Sequence, residues 1–97
     1  MTLDRRKVET ALKKKGFKLE NRDHRFYFLY VGGIRQVIYT KISTGREYRT
    51  LGYDLVGDIA TQMKLRPNQL RQFVACKIWE LDYLALLRAQ GVPLSEK

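Results

Sequence analysis

The sequence predicts an α+β domain: an antiparallel three-stranded sheet with helices on one face, followed by additional C-terminal helices. Three observations predict it. Two runs dense in β-branched and aromatic residues, Arg25–Val31 and Ile34–Ile42, are joined by Gly32-Gly33, a pair suited to a tight hairpin. Ahead of them, Val8, Ala11 and Leu12 fall at helical spacing, and beyond residue 52 apolar residues return to that spacing. The 97 residues suit a single domain. The expected organisation is a core over residues 1–65, a helical extension over 66–90 and a mobile tail over 91–97.

The first helix is expected over residues 4–15, capped by Asp4 or Thr2. Lys13, Lys14 and Lys15 fall in its last turn, where the helix dipole favours cations, and Gly16 follows as the left-handed residue that ends it. Residues 17–20 alternate apolar and polar, as a half-buried strand does, and Asn21-Arg22-Asp23 is turn-prone. In the third strand Ile34, Gln36, Ile38, Thr40 and Ile42 share one face, and Arg35, Val37, Tyr39 and Lys41 the other. A polar loop over 43–52 follows. Leu55, Val56, Ile59, Ala60 and Met63 then form an apolar stripe with Asp54 as its cap. Pro67 suits the first turn of the next helix, whose stripe is Leu70, Phe73 and Val74. A last helix over 81–89 carries Leu84 and Leu87 and ends at Gly91 and Pro93. Helices that flank a three-stranded sheet most simply cover one face. The order α-β-β-β-α matches the layout of double-stranded-RNA-binding domains.

Net charge is +9, and its placement is uneven. Residues 1–50 hold thirteen Lys/Arg against five Asp/Glu; residues 51–97 hold six against five. Positive charge concentrated in one half attracts polyanions through counterion release; the bland alternative is a solvated basic face. There is no apolar run of membrane-spanning length, and the charged N-terminus lacks the apolar core of a signal peptide, so a cytoplasmic setting is expected. Cys76 is the single cysteine, so neither an internal disulfide nor a thiolate cluster can form, and no metal or cofactor is expected. Cys76 and the nearby Trp79 read as core or interface.

His24, the single histidine, lies where the first turn meets the central strand. Imidazole titrates near neutral pH and can move a proton in phosphodiester cleavage, with Lys and Arg supplying charge for the phosphate. A turn histidine without a role is the alternative. Lys13, Lys14, Lys15, Lys18, Arg22, Arg25 and Arg35 are the candidate RNA contacts, more credible as a cluster than singly. Phe26, Phe28 and Tyr30 alternate with Tyr27, Leu29 and Val31, so one set faces the helices and the other outward. Outward rings can stack on unpaired bases; packing in the core or at an interface is the competing reading, and Tyr39 and Tyr48 are open to both. Arg46, Glu47 and Arg49 in the polar loop are either a binding element or solubilising.

These features together resemble the HicA toxins of prokaryotic toxin–antitoxin pairs. The resemblance starts at Leu12-Lys13-Lys14-Lys15-Gly16-Phe17 and continues in His24-Arg25-Phe26-Tyr27, where the family places its catalytic histidine. In a longer branch of that family, a strand ending like Thr40-Lys41-Ile42-Ser43 precedes a helix like residues 54–63, so the likeness covers residues 5 to about 76. It implies a double-stranded-RNA-binding-like fold, cleavage of messenger RNA by His24 without cofactor, and neutralisation by a small HicB-like antitoxin. The family often has glycine and serine before the histidine; Arg22 and Asp23 stand there here. A carboxylate at that position can orient the imidazole, and it can also repel phosphate. Two other functions fit the composition: a non-catalytic nucleic-acid-binding module, and a basic domain that docks an acidic protein.

Overall fold

A computed structural model describes residues 2–43, 45 and 49–95. Over these described residues the chain is α+β, with a three-stranded antiparallel sheet and four helices. The first helix, α1 (Arg5–Lys14), begins where expected: Asp4 Oδ1 accepts from the backbone N–H groups of Arg6 (2.8 Å) and Lys7 (3.3 Å). This satisfies two donors that helix geometry leaves unpaired. Gly16 ends it at φ 100°, and a Cβ there would press on the carboxylate of Glu80. The backbone conformation is what calls for glycine, since the end of the Glu80 side chain can move aside.

Strands β2 (Phe17–Asn21), β3 (Arg25–Val31) and β4 (Ile34–Ile42) form the sheet in that order. Gly32 and Gly33 turn the β3–β4 hairpin with φ of 58° and 81°, the two positive values a type I′ turn requires. The alternation expected in β4 holds: Gln36, Ile38, Thr40 and Ile42 are buried, and Arg35, Val37, Tyr39 and Lys41 are exposed. On β3, Tyr27 and Leu29 turn into the core, beside Phe17. A second ladder was not expected. β1 (Leu3–Asp4) pairs antiparallel with β5 (Thr50–Leu51), tying the start of α1 to the end of the polar loop.

The remaining helices are α2 (Tyr53–Gln62), α3 (Pro67–Val74) and α4 (Glu80–Ala89). Gly52, not Asp54, takes the capping position of α2; Asp54 lies inside the first turn, where its charge still suits the helix dipole. Pro67 opens α3, and α4 starts one residue early, with Asp82 Oδ2 accepting from Trp79 N (3.0 Å). α3 and α4 complete the core and are not an appendage. Phe17 packs against Phe73 and Tyr83, with ring centroids 6.4 and 5.8 Å apart, and Leu70 and Leu87 join the same cluster. Residues 91–95, expected to be a mobile tail, lie against the rest of the fold, where Val92 and Leu94 pack on the core. The Gln36 side chain donates to Ser95 O and accepts from Ser95 N, each at 2.7 Å.

Two buried phenols predict an alkaline loss of stability. Burial pushes the Tyr83 phenol above its ordinary value, and its hydroxyl donates to Met63 O (2.8 Å); burial and the Glu9 carboxylate do the same to Tyr27. A phenol whose folded pKa is raised stabilises fully below its unfolded value near 10 and loses that contribution as pH climbs towards its folded value. Lys15, lowered by burial, acts in the opposite direction below about 10.5. Urea midpoints are therefore expected to fall from about pH 10 upward, and less steeply in Tyr83→Phe. Parallel curves for parent and variant would remove Tyr83 as a cause.

Candidate nucleic-acid interface

Residues 22–24 form the bend between β2 and β3, closed by Arg22 N donating to His24 O (3.0 Å). His24 is half-buried, and its Nδ1 is shielded from solvent with no partner among the described residues. Among the described residues, no hydrogen bond or ion pair joins Asp23 to the ring.

The next residue anchors the strand to the helix. Arg25 Nη1 donates to Glu9 Oε1 (2.8 Å), Tyr27 Oη donates to the same oxygen (2.6 Å), and Arg5 Nε lies 3.7 Å from Oε2. The Glu9 side chain is only 7 % exposed, so one buried carboxylate gathers two guanidiniums and a phenol. Its proximity holds the Arg25 guanidinium more firmly charged. Alongside, Asp4, Arg5, Arg6 and Arg49 line a concavity of about 270 Å³ at the start of α1.

The face of the sheet turned away from the core is aromatic and cationic. It carries Lys18 and Glu20 from β2, Phe26, Phe28 and Tyr30 from β3, and Arg35, Val37, Tyr39 and Lys41 from β4. Phe26, Phe28 and Tyr39 form a ring cluster with centroids 5.4–6.3 Å apart, the two phenylalanines nearly parallel at 19°. Arg35 lies 3.6 Å above the Phe28 ring, Arg22 lies 5.6 Å from Phe26, and Lys18 lies 4.5 Å from Tyr30. Glu20 holds both arginines, Arg22 at 3.0 Å and Arg35 at 3.4 Å. Val37 and Tyr39 remain 71 % and 45 % exposed.

The expected basic cluster therefore divides. Lys18, Arg22 and Arg35 share the open face, and Arg25 is bound to Glu9. Lys13 and Lys14 are exposed at the far end of α1: Tyr30 N donates to Gly16 O (2.9 Å), placing that end beside the close of β3. Five residues of strand separate it from Arg25, on the order of 16 Å. Lys15 is corrected. It is fully buried, its Nζ donates to Phe73 O and to Ile78 O (3.0 Å), and it lies 4.6 Å from the Phe73 and Trp79 ring centroids. An ammonium spent on two carbonyls and two rings is not available to a phosphate. Cys76, expected in the core or at an interface, is exposed with φ 62°, and Trp79, read the same way, is half-exposed over Lys15. Arg46, Glu47 and Tyr48 lie outside the described residues.

Sequence reasoning missed Glu9, Arg5 and Arg6. Glu9 adjoins the apolar helix stripe next to Val8, a signal too weak by itself to mark a buried acid. Among the described residues, no cluster of three or more His, Cys, Asp or Glu could hold a metal, and no helix is long and apolar enough to cross a membrane. Compared with family models, curated proteins and solved structures, the chain matches none.

Proposed function

We propose that this chain is an RNA-binding, toxin-like ribonuclease that cleaves messenger RNA through His24 without a metal. The observation that carries the reading is the position of His24: a half-buried imidazole in the β2–β3 bend, its Nδ1 without a partner among the described residues, flanked in sequence by Arg22 and Arg25. In this chemistry neutral His24 takes the proton of a ribose 2′-hydroxyl through Nε2. The 2′-oxygen attacks phosphorus, the bond to the 5′-oxygen breaks, and that oxygen takes a proton from water. A 2′,3′-cyclic phosphate and a 5′-hydroxyl result. Arginine near the phosphate stabilises the charge that develops on it. The α-β-β-β-α order supports a double-stranded-RNA-binding-like domain, and the HicA resemblance supports a HicB-like antitoxin as partner and a cytoplasmic setting.

The test is cleavage of RNA by the purified chain in EDTA. His24→Ala is expected to lower the rate by about 10²-fold or more with an unchanged circular dichroism spectrum. Full activity in that variant would remove His24 from the mechanism. RNA binding that weakens with salt, with no cleavage by the parent chain, would favour a non-catalytic module.

A further inference from the structure

We propose that the open face of the β2–β3–β4 sheet is a stacking platform for unpaired bases, which makes single-stranded RNA the substrate class. This rests on RNA being the ligand, as argued above, and adds where and in what form it is bound.

Alternation places three rings of adjacent strands, Phe26, Phe28 and Tyr39, on the face turned away from the core; Phe28 is buried, 7 % exposed beneath Arg35, and the partly exposed Phe26 and Tyr39 flank it. A solvated sheet face needs polar residues there. Every base has a π-face, so rings on an open sheet bind bases without regard to sequence. Three strands about 4.8 Å apart seat two or three bases.

Lys18, Arg22, Arg35 and Lys41 surround the rings, and Glu20 is the single acid on this face among the described residues. That excess suits a polyanion and disfavours a second copy of this face, which would bring like charges together. Arg35 and Arg22 already lie against the rings, so their guanidiniums occupy the places a base would take. An incoming strand can exchange them: the base takes the ring, and the guanidinium turns to the adjacent phosphate, which it can grip with two donors. Glu20, which holds both, keeps them over the rings until a phosphate competes.

Paired bases hide their faces in the stack, and the deep, narrow major groove of duplex RNA does not admit a sheet. A platform of this kind selects unpaired segments. Phe26 stands two residues from His24 along the strand, so a chain of nucleotides crossing the platform ends beside the imidazole.

The experiment is photo-crosslinking of the full chain to a 2′-O-methyl oligonucleotide containing 5-iodouridine. The 2′-O-methyl group blocks attack by the ribose, so cleavage does not intervene. The adducts are mapped by mass spectrometry, and affinity is measured for the single strand and for its duplex. The expected result is adducts on Phe26, Tyr39 or Tyr30, preference for the single strand, and about tenfold weaker binding for Phe26→Ala and for Tyr39→Ala. Tyr39→Phe, which keeps the ring, should bind as the parent does. Adducts confined to α1 or to the Arg5–Arg6–Arg49 concavity, or preference for duplex, would overturn the platform and leave RNA binding standing. Absence of any adduct and any affinity would overturn both. A dimer that buries this face and persists with excess oligonucleotide would overturn the platform.

Discussion

Lys15→Ala is expected to destabilise the fold by about 3 kcal/mol, a large share of the 5–15 kcal/mol typical of a domain. The side chain runs from the end of α1 into the corner between α3 and α4. There its ammonium serves Phe73 O, which otherwise accepts only a long bond from Cys76 N (3.3 Å) past the end of α3, and Ile78 O. Truncation leaves both carbonyls without this donor, at about 1–3 kcal/mol for each that water cannot reach. It also removes the cation from between the Phe73 and Trp79 rings and leaves a void beside a core residue. Against these losses stands the relief of desolvating a charge, the cause that lowers the Lys15 pKa. Methionine separates the effects: Lys15→Met keeps the stem and most of the volume, and is expected to cost about half as much. Urea denaturation of the two variants is the measurement. A shift within about 0.5 kcal/mol for alanine, the range of an exposed residue, would mean the ammonium is solvated.

Lys15 also shows where sequence reasoning stops. Its local context, the last turn of a basic helix before glycine, is the context of an exposed lysine, and Lys13 and Lys14 behave so. Its partners lie 58 and 63 residues further along, brought there by packing between helices whose existence is legible but whose placement is not. Strand bounds were legible because burial of one face imposes a period of two and Gly32-Gly33 sets the register. The β1–β5 ladder was not, because two residues on each side carry no period. At the site, alternation alone divided Phe26, Phe28 and Tyr30 from Tyr27, Leu29 and Val31. Which set faces outward depends on the side the helices take, which the structure supplies. The tail looked mobile because nothing in its residues announces that Gln36 offers both a donor and an acceptor to Ser95.

Glu9 joins stability to the site, and Glu9→Ala is expected to cost about 3 kcal/mol. Removing the carboxylate leaves the buried Tyr27 hydroxyl without an acceptor and leaves Arg5 and Arg25 with no charge between them. Arg25 is two-fifths exposed, so solvent screens part of that repulsion. The unpaired hydroxyl is therefore the larger loss. Glu9→Gln, which keeps an acceptor oxygen but no charge, should cost about 1 kcal/mol. A double-mutant cycle decides whether the groups act together. Tyr27→Phe should be less costly in the Glu9→Ala background than in the parent, by at least about 0.5 kcal/mol. Strict additivity would mean that the phenol and the carboxylate are independent. The same variants bear on RNA. With Glu9 neutralised, Arg25 no longer spends its charge on the helix and is free to meet a phosphate. Binding by Glu9→Gln should then depend on salt more steeply than in the parent, by a slope of about one. The expected outcome is a protein that is less stable yet more tightly coupled to its polyanion. Equal salt slopes would place Arg25 outside the interface and confine Glu9 to holding α1 against the sheet.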